Sequence, residues 1–209
     1  MKTFRIHFIR HGLTEGNAQG KYIGVTDLPL SEDGADELER IRLKGELPEA
    51  DMVFSSPLKR CLESCEILFP NKAPVIIDEF KEFNFGDFEN KTALELDGAY
   101  EYTEWIAGRA TLPNGEDSTE FVKRICQGLN KAIRKMMEAE VSEAIAVMHG
   151  GVMMSLFQAC ALPQRRAVEW ASPVGQGFTA LITPSLYGKT GAIEIIDTVP
   201  STAFVTDEY

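Results

Sequence analysis

Short apolar runs recur along this chain, and most are followed by a stretch with helical periodicity, an alternation that few architectures accommodate. Residues 4–9 alternate with a two-residue period and read as a half-buried strand, whereas 52–54, 75–77 and 144–148 are short apolar runs suited to the inside of a sheet. Residues 178–182 and 192–196 add two more strands. Pro184 and Gly188 between them suggest a hairpin, so this end of the sheet is expected to be partly antiparallel. Helices are predicted over 31–44, over about 57–69 with Pro57 in the first turn, over 118–140, and over 151–161, opened by Gly150-Gly151. The longest carries Phe121, Val122, Ile125, Leu129, Ala132, Ile133, Met136 and Met137 on one stripe, and Asp117 with Glu120 gives it a capping-box-like start. These elements imply an α/β fold, a three-layer α/β/α sandwich around a mostly parallel central sheet. No repeat or long linker interrupts the pattern. One domain over residues 1–209 is expected, with an acidic cap-like insertion at about 83–115.

Charge narrows the partners. The chain has 21 basic and 32 acidic side chains, a net charge of −11, and residues 71–120 contain only Lys72, Lys81, Lys91 and Arg109 against twelve carboxylates. A nucleic-acid binder or a peripheral binder of anionic membranes needs a basic stripe, and none is visible. No apolar stretch approaches the roughly 18–20 residues of a membrane span, and the first residues lead into a strand pattern rather than an apolar leader. A cytoplasmic protein without nucleic-acid or membrane partners is therefore expected, and a homodimer is compatible with this reading. Cys61, Cys65, Cys126 and Cys160 form no CxxC pair and have no histidine nearby to complete a zinc site, so they read as buried, reduced thiols. His7, inside the first strand and outside any motif, reads as a packed structural residue.

The unusual polar residues fall at the ends of strands. Arg10-His11-Gly12 closes the first, Ser55-Ser56 the second, with Arg60 one turn into the following helix, and His149-Gly150-Gly151 the fourth; Glu82 follows the third after a short connection. Ligands of open parallel sheets bind outside the carboxyl ends of the strands. If these strands are parallel, two imidazoles, two guanidiniums and a carboxyl group converge there. Guanidinium forks suit a phosphate dianion. A histidine with an unprotonated nitrogen can attack phosphorus, and a protonated carboxyl can donate to the departing oxygen. The acidic neighbours of Glu82, namely Asp78, Glu79, Asp87 and Glu89, together with a bound phosphate, are expected to raise its pKa. With two arginines supplying positive charge, no metal and no cofactor is called for.

Residues 8–17, reading Phe-Ile-Arg-His-Gly-Leu-Thr-Glu-Gly-Asn, resemble the RHGxTxxN signature of the histidine phosphatase superfamily, in its phosphoglycerate-mutase-like branch. The resemblance continues in family order through residues 24–34, Ser55-Ser56-Pro57-Leu58-Lys59-Arg60, residues 82–89, Pro113-Asn114-Gly115-Glu116 and residues 147–151. It implies the sandwich fold already read from periodicity and a phosphohistidine on His11. It also implies that Arg10, Arg60 and His149 hold the phosphoryl oxygens, with help from Asn17 and a backbone N–H near Gly150, and that Glu82 is the proton donor. Thr14, Tyr22 and Glu116 join Asn17 and Gly150 as candidate substrate-binding residues. Asp117 stands where the family often has Ser, and both can cap a helix.

Three readings follow. The first is a phosphatase of small phosphomonoesters; the Thr-Asp-Leu-Pro-Leu and Phe-Gly-Asp-Phe-Glu stretches are similar to those of alpha-ribazole phosphatases. The second is a cofactor-dependent phosphoglycerate mutase, which needs further basic side chains for a second phosphate and a carboxylate. Residues 83–115 offer only Lys91 and Arg109, which favours the phosphatase. The third is a non-catalytic phosphate-binding or interaction module on the same fold, which the presence of the whole reactive set disfavours.

Overall fold

The computed structural model describes residues 2–201. Its sheet has seven strands in the order β3-β2-β4-β1-β6-β7-β5. They are β1 (Phe4–Arg10), β2 (Met52–Ser55), β3 (Val75–Ile76), β4 (Glu143–Met148), β5 (Ala161–Leu162), β6 (Gly177–Ile182) and β7 (Ile193–Val199). The pairings β1–β4, β2–β4 and β2–β3 are parallel, and β6 alone runs against its neighbours β1 and β7. The expected antiparallel pair is present, but no tight hairpin joins it. A helix, α8 (Pro184–Thr190), occupies the connection, with Pro184 in its first turn and Gly191 as its left-handed C-cap.

The remaining helices are α1 (Glu15–Ala18), α2 (Glu32–Lys44), α3 (Lys59–Leu68), α4 (Ala93–Leu96), α5 (Tyr100–Ile106), α6 (Ser118–Glu138) and α7 (Gly150–Cys160). Side-chain alternation on the inner strands divides the core. Phe4, Ile6, Phe8, Ala144, Ala146 and Met148 pack with α6 and α7, and Ile9, Val53, Ile145 and Val147 pack with α2 and α3 on the other face. Both faces of β4 are covered, so it reads as an unbroken apolar run. Helix α3 starts two residues later than Pro57 suggests. The Ser56 hydroxyl accepts from the Leu58 N–H and the Asp27 carboxylate from the Lys59 N–H (2.7 Å), so a neighbouring hydroxyl and one distant carboxylate set the first turn. Asp117 caps α6 by accepting from the N–H groups of Thr119 and Glu120.

Residues 83–115 fold into short helical pieces around an aromatic cluster. Trp105 stands edge-on to Tyr22 and Phe85, within 5.7 and 6.2 Å between ring centroids, and Tyr102 packs on Phe88. The segment is tied to the loop after α1 by the Tyr22–Lys91 and Asn90–Tyr22 backbone hydrogen bonds. Among the described residues no helix is long and apolar enough to cross a membrane.

Candidate active site

Since β4 lies between β1 and β2, the residue ending β4 is placed between those ending its neighbours. His149 and His11 are edge to face with 5.0 Å between ring centroids, and His149 Nε2 is 2.8 Å from the Ser56 hydroxyl. Arg60, on the first turn of α3, reaches both rings: its Nε lies 3.2 Å from His11 Nε2 and 3.2 Å from His149 Nδ1. Both nitrogens face a donor and must carry lone pairs. The hydrogen-bond pattern therefore assigns the tautomers. His11 holds its proton on Nδ1, donated to the Gly12 carbonyl at 2.6 Å, and His149 holds its proton on Nε2, donated to Ser56. Both imidazoles are buried, and their pKa values lie well below the ordinary 6.5, first because burial penalises the cation and next because Arg60 repels it. Two neutral rings thus flank a permanent charge.

Arg60 has no solvent exposure and is held from above, donating through Nη1 to the Thr26 carbonyl (2.9 Å) and through Nη2 to that of Gly24 (2.7 Å). That loop is fixed by Glu89, which accepts from the backbone N–H groups of Gly24, Val25, Thr26 and Phe85. Ser64 joins α3 to the loop after β1 by accepting from the Gly12 N–H and donating to the Arg60 carbonyl. Arg10, at the end of β1, donates through Nη1 to the Ser172 carbonyl, while its buried Nε–H has no protein partner. A buried donor of this kind suits an anion.

Glu82 lies beside this group on the N-terminus of α7. Its Oε2 accepts from the Gly151 N–H at 3.0 Å and its Oε1 from its neighbour Phe83 N–H at 2.9 Å. A Cβ at 151 would stand 2.6 Å from Oε1, so a side chain there would displace the carboxyl. The pKa of Glu82 is raised, as the sequence suggests, but for a different reason. Burial is the cause, opposed by the two backbone N–H groups and by Arg60 and Arg10. The expected acidic neighbours are occupied elsewhere: Asp87 accepts from Asn114, Glu79 from Lys131, and Glu89 from the loop above Arg60.

The other candidates divide. Thr14 caps α1 and donates to Asn17 Oδ1 (2.9 Å), which turns the Asn17 amide and leaves its NH2 without a protein partner. The Gly150 N–H opens α7 immediately beyond His149, where the helix dipole favours negative charge. Tyr22 is instead absorbed by the aromatic cluster: its hydroxyl meets that of Tyr102 at 2.9 Å, and burial together with that contact pushes its pKa up to about 12. Glu116 is occupied too. It takes Arg124 bidentately, with 2.7 Å to Nε and 2.7 Å to Nη2. Arg124 was not singled out by the sequence, where it reads as one more charge on the polar face of α6. Its remaining N–H groups go to the carbonyls of Glu79, Lys81 and Glu82, so it clamps the backbone that carries Glu82. His7 is structural, buried between Thr179 and Glu143. Cys61 and Cys65 are buried free thiols, and Cys126 and Cys160 are free and partly buried. Among the described residues, no group of three or more His, Cys, Asp or Glu side chains is arranged to hold a metal ion.

Two histidines, two arginines and a buried carboxyl at the ends of parallel strands are the arrangement that the motifs implied. Residues 6–177 match the model of the histidine phosphatase superfamily, branch 1, and the chain belongs to that superfamily. It is similar to the adenosylcobalamin/alpha-ribazole phosphatase of Escherichia coli (strain K12), 27% identical over 179 residues that span 83% of this chain and 86% of that one. It is 31% identical over 153 residues to uncharacterized phosphatase PhoE of Bacillus subtilis (strain 168), covering 71% and 72% of the two chains. The crystal structure of the alpha-ribazole phosphatase from Shigella flexneri shares the fold, with a TM-score of 0.70 at 23% identity over 86% of this chain and 90% of that one.

Proposed function

We propose that this protein hydrolyses small phosphomonoesters through a phosphohistidine on His11, with Glu82 as proton donor and acceptor. The observation that carries the reading is the tautomer of His11. With Nδ1–H held by the Gly12 carbonyl, the free lone pair lies on Nε2, beside Arg60. That nitrogen attacks phosphorus while the bond from phosphorus to the alcohol oxygen breaks, and Glu82 gives its proton to that oxygen. The Gly12 carbonyl then faces the positive charge of the phosphorylated ring. Water attacks next and loses its proton to the Glu82 carboxylate; the phosphorus–nitrogen bond breaks, phosphate leaves, and His11 is again neutral. Arg10, Arg60 and the Gly150 N–H are the donors offered to the phosphoryl oxygens, with the Asn17 amide beside them; His149, whose Nε2–H is held by Ser56, joins them by taking up a proton at Nδ1 when the anion binds. The two guanidiniums supply the positive charge, so turnover is expected in the presence of a chelator.

Alpha-ribazole 5'-phosphate is the leading substrate of this proposal, supported by the motif similarity and by the named activity of the Escherichia coli relative. A mutase has less support. Lys91, which donates to the Asp87 carbonyl, and Arg109, paired with Glu104, are both engaged within the cap. The decisive experiment is to trap the enzyme with a radiolabelled ester. An acid-labile, alkali-stable label is expected on the wild type and absent from His11→Ala; a label that survives in the variant would place the nucleophile elsewhere.

A further inference from the structure

Two cavities touch Glu82: one has charged walls that include Glu79, Lys81, Glu116 and Arg124, and the other is mainly aromatic and apolar and also borders Gly151 at the N-terminal end of α7. The second measures about 660 Å³, within the size range of small-molecule sites, and its walls include Glu82, Gly151, Phe85, Trp105, Phe121 and Met154. Trp105 comes from the cap, Phe121 from the start of α6, and Met154 from α7 one turn beyond the helix end that holds Glu82. The cleft therefore begins where the carboxyl would meet a departing oxygen. Its polar side chains, Ser118, Ser155 and Gln158, are neutral, and no lysine or arginine lines it. The guanidinium of Arg124 lies 5.1 Å from the Phe121 ring, but all five of its N–H bonds are committed to Glu116 and to three backbone carbonyls. An anionic group entering here would find no free cation and a carboxyl at the inner end.

We infer that this cleft is the site of the alcohol moiety, and that it selects a neutral leaving group with a flat aromatic or apolar body, Trp105 being the main specificity-determining residue. The inference rests on the phosphatase reading and goes beyond it, because it states what stands on the far side of the ester oxygen. Aromatic walls of Phe and Trp give contact area and ring stacking, the sulfur of Met154 adapts to an irregular edge, and the serines and glutamine supply hydrogen bonds for a polar rim. A carboxylate or second phosphate would be desolvated there without compensation.

The test compares naphthylethyl phosphate, ethyl phosphate and phosphoglycerate. The first two release alcohols of similar acidity, so the ratio of their kcat/KM values reports the cleft rather than the demand for protonation. The wild type is expected to favour naphthylethyl phosphate over ethyl phosphate by about tenfold or more, and Trp105→Ala to remove most of that ratio. Gln158→Lys, on an exposed position of α7, keeps the cap intact should the tryptophan variant fail to fold; it is expected to raise phosphoglycerate severalfold relative to ethyl phosphate. Binding is read separately from turnover by titrating naphthylethanol and following the indole N–H resonance of Trp105, with the buried Trp170 as internal reference. A ratio near one in the wild type, or a ratio that a folded Trp105→Ala leaves unchanged, overturns the inference, as does a Trp105 resonance that does not move. If the Trp105 resonance shifts but no ester is hydrolysed, the phosphatase reading fails and the cleft stands.

Discussion

Gly151→Ala isolates the placement of Glu82 from everything else in the site. A Cβ at 151 would lie 2.6 Å from Glu82 Oε1 and 3.0 Å from both Cδ and Oε2, whereas ordinary contact begins at 3.4 Å. The carboxyl must retreat by about 0.8 Å, which breaks its bond to the Gly151 N–H. A misplacement of about 1 Å can cost about 10²-fold in rate. Turnover of an alkyl ester such as ethyl phosphate, which cannot leave without a proton, is therefore expected to fall about 10²-fold. Nitrophenyl phosphate, whose alcohol departs as a stable anion, is expected to lose less than about fivefold. The fold should persist. Alanine is favoured over glycine in a helix by up to about 1 kcal/mol, which offsets part of the lost hydrogen bond. Steady-state kinetics on the two esters, with a thermal melt as control, decide the matter. Equal losses on both would mean that α7 and His149 move instead of Glu82, and no loss on either would remove Glu82 from proton transfer.

Arg124→Met tests the clamp behind the same carboxyl. It leaves Glu116 without its cation and three carbonyls without a donor, at a cost of about 2 kcal/mol. The Tm is expected to drop by about 4–8 °C; alkyl esters should suffer more than nitrophenyl phosphate, and Arg124→Lys, with three donors in place of five, should restore little. An unchanged Tm would show that the clamp carries no strain-bearing contact. The pH dependence of stability follows from the three histidines, all of whose pKa values are lowered by burial. Their contribution is full above the unfolded value of 6.5 and is lost as pH falls from there toward the folded values, because the unfolded chain takes up protons that the folded one refuses. Glu82, with its raised pKa, acts in the opposite sense: its contribution is present below 4.5 and lost as pH rises through the folded value. One carboxyl against three imidazoles leaves a net fall, so the Tm should decrease between pH 7 and 5.5; a flat or rising Tm over that interval would contradict the neutral pair.

Much of the core architecture was legible because local periodicity reports burial. The inner strands β1, β2 and β4 and the stripe of α6 appear as apolar patterns whatever lies around them. The short pieces were not: α1, α4, α5, β5 and the helix in the β6–β7 connection are four to seven residues long or less, too brief for a period to emerge. The convergence of two histidines, two arginines and a carboxyl was legible by position, at the ends of strands, and in the blocks around it. The partners of Tyr22 and Glu116 were not legible, because a side chain's partner is set by what the fold brings opposite it. Neither Tyr102, 80 positions from Tyr22, nor Arg124 on the polar face of α6 announces such a partnership in sequence.

The residue types and their order along the chain were sufficient for the layered α/β fold, the superfamily and the polar groups that meet at the ends of the strands. Tertiary structure decided the states of those groups. That His11 presents Nε2, that both imidazoles are neutral, and that burial rather than neighbouring charge lifts the pKa of Glu82 all depend on which donors and how little water surround each atom. Protonation and tautomer are properties of an environment assembled from four distant segments, and no single segment carries them.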